Sequence, residues 1–60
     1  MAFLVTLEST AEDPEPKPRR IEAIHVQVVG DFQFLDFMDR DGKLVERIPT
    51  QALKSWAAVD

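Results

Sequence analysis

No cysteine occurs among these 60 residues, so they can form no disulfide, thiolate metal site or thiol redox centre. A single histidine excludes a histidine-rich metal centre within one chain. No apolar run approaches the roughly 18 residues that a membrane span requires. Positive charge is also scarce. Seven basic residues face eleven acidic ones, for a net charge of −4. That balance works against binding a phosphate backbone, where affinity comes mainly from Lys and Arg. It suits solubility and a basic partner surface. The opening Met-Ala-Phe-Leu-Val-Thr-Leu lacks a basic leading segment and a small-residue cleavage pattern. No secretory signal is expected, and a cytoplasmic location follows as the expectation.

A chain of this length makes one small domain, expected over residues 1–60. Such a domain buries only about 60% of its unfolded surface and is marginal in stability. Small folds often lean on disulfides, metals or a partner chain. With the first excluded and no cofactor or metal expected, self-association remains, or an efficient core. Hydrophobic residues make up 45% of the chain, enough for an ordinary globular core.

Apolar alternation predicts strands. Residues 3–8 place Phe3, Val5 and Leu7 on one face and Leu4, Thr6 and Glu8 on the other. Residues 9–20 carry Pro14, Pro16 and Pro18 and no large apolar side chain. Proline removes a backbone donor and fixes φ, so an exposed proline-rich loop is expected there. The prolines are spaced by two, which does not match the i, i+3 spacing of a proline-groove ligand. Residues 21–29 read as one strand with Ile24, Val26 and Val28 facing inward and Ala23, His25 and Gln27 on the wetter face. Gly30-Asp31 is a turn signal leading into a strand at 32–39. There Phe32, Phe34 and Met38 share one face, and Leu35 and Phe37 share the other.

Asp39-Arg40-Asp41-Gly42 is the next turn, with glycine free to take positive φ and aspartates able to cap turn amides. Two registers are open. A type I turn with a glycine bulge pairs Asp39 with Lys43, Met38 with Leu44, and Asp36 with Glu46. A two-residue Asp-Gly turn sets Asp36 opposite Arg47. Turn chemistry favours the first. A strand at 43–48 ends at Pro49. Beyond it, Thr50 can cap a helix, and Leu53, Trp56 and Ala57 sit at i, i+3, i+4. A short C-terminal helix is favoured. The rival is one helical turn at 50–53 and a fifth strand at 54–59. Ile48-Pro49-Thr50-Gln51-Ala52-Leu53 resembles the end of a small SH3-like barrel, where a strand, a one-turn helix and a last strand follow in that order. The resemblance covers element order over roughly the last 40 residues and carries no functional residue with it. The expected class is mainly β: a small antiparallel sheet or SH3-like barrel of four or five strands.

Little here carries chemistry. Asp39, Asp41 and Gly42 fall at three, five and six of a calcium-loop pattern. The first position is then Phe37 and the twelfth Ile48, neither of which offers oxygen. Asp36 and Glu46 would be near each other across the hairpin, but so short a chain can hardly wrap a cleft around them. His25 is the only base for Ser9 or Ser55. No catalytic role is expected. Gly30-Asp-Phe-Gln-Phe-Leu-Asp-Phe resembles the aromatic strand of RNA-binding sheets. It departs from that motif at Val29, which replaces a basic residue, at the inserted Asp31, and at Asp36, which would repel phosphates.

Two functional expectations follow. The first is a non-enzymatic protein-interaction module, self-associating or bound to a protein partner. It would act through a sheet face or edge that includes Leu35, Phe37, Val45 and Trp56. The motive is that apolar groups on both faces of the third strand exceed what one small core can hide. The alternative is single-stranded nucleic-acid binding through Phe32, Phe34 and Phe37 with Arg19, Arg20 and Lys43. The net charge makes nucleic acid the weaker of the two, and no membrane role is expected.

Overall fold

The computed structural model describes residues 1–59, and most of them lie in strands. In chain order these are β1 (Ala2–Leu7), β2 (Arg19–Ile21), β3 (His25–Val29), β4 (Phe34–Met38), β5 (Leu44–Pro49) and β6 (Leu53–Val59). A 3-10 turn at Thr50–Ala52 separates the last two. The strands form two three-stranded antiparallel sheets, ordered β2-β1-β6 and β3-β4-β5. Among the described residues the sheets do not join into a closed barrel. No helix among them is long and apolar enough to cross a membrane.

β1 follows its alternation: Phe3 and Val5 are buried, and Leu4 is exposed. The loop after it is irregular and exposed from Ser9 to Pro18, apart from a half-buried Pro16. Arg19 and Arg20, expected in that loop, begin β2 instead.

The strand expected over 21–29 is two strands. Ile21 pairs with Phe3 in the first sheet, and His25 pairs with Met38 in the second. The chain changes sheets across Glu22–Ile24, and a strand serving two sheets must bend where it changes partner. The bend alters which side chains face in. Ile21 and Ala23 are buried, whereas Ile24 and Val28 are left exposed. Only Val26 of the expected inward set packs against the core.

The two registers considered for the β4–β5 hairpin both occur, one after the other. Next to the turn Met38 pairs with Leu44, as a glycine-bulge turn requires. A β-bulge at Val45 then shifts the pairing by one residue, so that Asp36 lies opposite Arg47 and not Glu46. The shift replaces two opposed acids with an ion pair.

The favoured C-terminal helix is absent. After the single 3-10 turn, β6 pairs with β1 from Ala2↔Val59 to Leu7↔Leu53. A helix there would have left β1 without its second neighbour. The ladder and the packing of Trp56 outweigh a weak helical spacing.

The core lies between the sheets and holds Phe3, Val5, Ile21, Ala23, Leu35, Phe37 and Ile48. Phe3, Phe37 and Trp56 form an edge-to-face cluster, with centroids 5.5, 5.8 and 6.3 Å apart. Each such pair adds about 0.5–1.5 kcal/mol beyond area burial. Leu35 and Phe37, expected to meet a partner, are therefore sealed inside the chain, at 5% and 0% exposure. The first sheet supplies the cover that a body this small was expected to lack.

Candidate functional site

The least ordinary backbone lies between β3 and β4. Gly30, Asp31 and Phe32 take φ of 62°, 54° and 69° in succession. Glycine accepts this freely, and aspartate tolerates it. A bulky residue at positive φ is an outlier, costing roughly 1–2 kcal/mol from the clash of its Cβ with the backbone. Phe32 also carries the most exposed large apolar side chain, at 74%.

Two sets of contacts hold this loop. The Gln33 N–H donates to the Gly30 carbonyl at 3.0 Å, which closes the turn on itself. From the 3-10 turn, the Thr50 N–H donates to the Gln33 carbonyl at 2.9 Å. The Thr50 hydroxyl donates to the Phe32 carbonyl at 2.5 Å, with a longer 3.3 Å approach to Gln33. Thr50 reaches that position because Pro49 ends β5 opposite Phe34. Proline has no N–H to extend the ladder, so the chain turns there.

Loop and turn together enclose an open depression of about 520 Å³. Phe32, Phe34 and Pro49 supply its apolar walls, and Asp31, Gln33, Thr50 and Gln51 its polar ones. The neighbouring outer face of the second sheet is braced by Arg47. Its guanidinium grips Asp36 through two hydrogen bonds of 2.7 and 2.9 Å and lies 5.4 Å from the Phe34 ring centroid. Those hydrogen bonds hold the Asp36 carboxyl below the usual aspartate value, against the opposing pull of desolvation. Asp36 is thus a buried but fully partnered acid.

The residues singled out from sequence are scattered. Phe32 and Phe34 meet at the depression, while Phe37 lies in the core. Val45 is the bulge residue of β5 and is exposed. Trp56 is 43% exposed at the rim of the core, against Phe3 and Phe37. Arg19 pairs with Glu46, tying the first sheet to the second, and Arg20 pairs with Glu22. Lys43 closes the Asp39 turn at the other end of β4. The basic residues are therefore not gathered round the exposed aromatics. Asp39 uses its side chain to cap the Asp41 and Lys43 amides, each at 2.9 Å. Among the described residues no three His, Cys, Asp or Glu side chains come together as a metal site.

Thr50, expected as a helix cap, instead pins the loop. Gln33, Pro49 and Gln51 line the depression without any signal in the sequence pattern. Gly30-Asp31 marked a turn, but nothing in the composition signals positive φ at a phenylalanine. No family model matches this chain, and neither a curated protein nor a solved structure is similar to it at a significant level.

Proposed function

We propose that this chain is a non-enzymatic protein-interaction module whose partner docks at the Phe32 depression. The observation that carries the reading is Phe32 itself: a large apolar side chain, 74% exposed, at φ 69°. Exposure and backbone conformation both work against stability, and Thr50 maintains them from a distant part of the chain. Strain retained at an exposed position is the pattern of a preformed recognition surface. The apolar walls suit a single aliphatic or aromatic anchor from the partner. Asp31 at the rim and the net charge of −4 favour basic flanking residues.

The passage of the chain from one sheet to the other between β2 and β3, and the 3-10 turn before the last strand, support an SH3-like reading of the element order. That likeness concerns fold and not activity. A protein partner is favoured over nucleic acid because the charged residue among the described ones lining the depression, Asp31, is acidic, and Arg19, Arg20 and Arg47 are already engaged by Glu46, Glu22 and Asp36.

Selection of a displayed random-peptide library on the intact chain tests the reading. The expected result is enrichment of peptides with one large apolar residue beside Lys or Arg, whose binding is lost on Phe32→Ser. Enriched peptides that bind Phe32→Ser equally well would overturn it.

A further inference from the structure

A strand at the edge of a sheet presents a row of unpaired N–H and C=O groups, and proteins usually guard such rows. Among the described residues the two sheets have four edges, and two of them are guarded. β2 is three residues long and directly follows Pro18. β5 carries the Val45 bulge and ends at Pro49. β3 is free of proline, as β6 is, but spans only five residues and runs straight into the left-handed loop. β6 offers the longer open edge. It is the longest strand, at seven residues, contains no proline, and pairs on one side only.

Its own irregularity sets how much of it is open. The pairing with β1 shifts between Ser55 and Leu53, leaving Lys54 as the extra residue of a bulge. From Ser55 to Val59 the strand runs regularly against Ala2–Thr6. That stretch carries no charge, and Ser55, Trp56, Ala57 and Ala58 are all exposed. Uncharged strand segments without proline are those that pair with other strands.

We propose that β6 is a homodimer edge: two copies pair antiparallel along Ser55–Val59 about a twofold axis at Ala57. In this register each Trp56 lies opposite the partner's Ala58, a bulky side chain against a methyl. Each Ser55 lies opposite the partner's Val59. Within Ser55–Val59 no charge faces a charge, and the β2-β1-β6 sheets of the two copies become one of six strands. A second copy is the fitting occupant because the segment is complementary to itself in size and charge. Elsewhere the net charge of −4 sets two copies against each other. At roughly 3.4 Å per residue the shared edge is about 17 Å long. That is short for an interface, so the dimer is weak and forms only at high concentration.

The inference uses residues separate from the Phe32 depression, and its test keeps the two apart. Sedimentation equilibrium from about 20 µM to about 1 mM reads the mass. The intact chain should rise from 6.8 kDa towards twice that value. Ala57→Lys and Ala57→Glu each put like charges at the axis, and each alone should stay monomeric with an unchanged circular-dichroism spectrum. An equimolar mixture of the two should recover the dimer. Phe32→Ser should associate as the intact chain does. A chain that stays at its monomer mass at about 1 mM would overturn the proposal, as would a dimer indifferent to both Ala57 substitutions or one abolished by Phe32→Ser.

Discussion

β4 has a turn at each end, and the two are built on different principles. At the Met38 end, Asp39 caps two amides of its own turn, the Gly42 N–H donates to the Asp39 carbonyl, and glycine takes the positive φ. Every stabilising group lies within five consecutive residues. At the Phe34 end, aspartate and phenylalanine take positive φ, and the clamp comes from Thr50, 18 residues beyond Phe32 in sequence. The first turn is local chemistry that meets its own needs. The second is costly locally and held by tertiary contact, and it is the one that displays an apolar side chain. On the proposed reading, one turn serves folding and the other recognition.

The sharpest break lies between the two turns. Arg47 holds Asp36 in the shifted register, while the Asp39 turn by itself favours the other register. Arg47→Met leaves a buried carboxylate without its partner. It should lower Tm more than any turn substitution, read by thermal denaturation. The same pair sets an acid limit. The Asp36 pKa is lowered on folding, so its contribution is complete above the ordinary aspartate value of about 3.9. The contribution is lost as pH falls from there through the folded value. Urea titrations between about pH 6 and pH 3 should show this loss in the intact chain, and Arg47→Met should lack that component.

Substitutions in the turns come next. Thr50→Val removes the hydroxyl bond to the Phe32 carbonyl and should cost about 1.5 kcal/mol, measured from the urea midpoint. A domain of 60 residues holds only about 3–9 kcal/mol, so this shift is readily seen. In the other turn, Gly42→Ala meets no neighbouring atom within 4 Å but forces a Cβ onto φ 79°, for a loss of about 1 kcal/mol. Asp39→Ala leaves two amides to water and should cost about 0.7 kcal/mol. If Thr50→Val proved neutral while Asp39→Ala proved severe, the contrast between local and tertiary turns would fail.

The same contrast explains what could be read in the sequence. The Asp39–Gly42 turn was legible because its partners are near neighbours, as were the alternation of β1 and the exposure of the proline loop. The break at Glu22–Ile24 was not, since it depends on which sheet each half of a strand joins. Nor was β6, where Leu53, Trp56 and Ala57 carry helical spacing and only the need of β1 for a second neighbour decides. Leu35 and Phe37 read as surplus apolar groups because the cover from the first sheet is invisible in a linear pattern. Of the candidate site, Phe32 and Phe34 were marked as aromatics, but their setting depends on a hydroxyl distant in sequence.

The smallest expected effect is the most informative. Phe32→Gly relieves roughly 1–2 kcal/mol of left-handed strain. It returns about 0.5–1 kcal/mol through the greater freedom of glycine in the unfolded chain. The side chain is 74% exposed, so little burial is lost. The net result should be a gain of about 0.5 kcal/mol in urea unfolding, followed by Trp56 fluorescence. The same variant should lose affinity for peptides selected on the intact chain by at least about tenfold, or about 1.4 kcal/mol. Stability and binding would then move in opposite directions at one residue, as they do where strain is kept for recognition. A Phe32→Gly chain that is less stable than the parent would mean that the phenylalanine serves the fold. The turn at that end of β4 would then differ from its counterpart in construction but not in purpose.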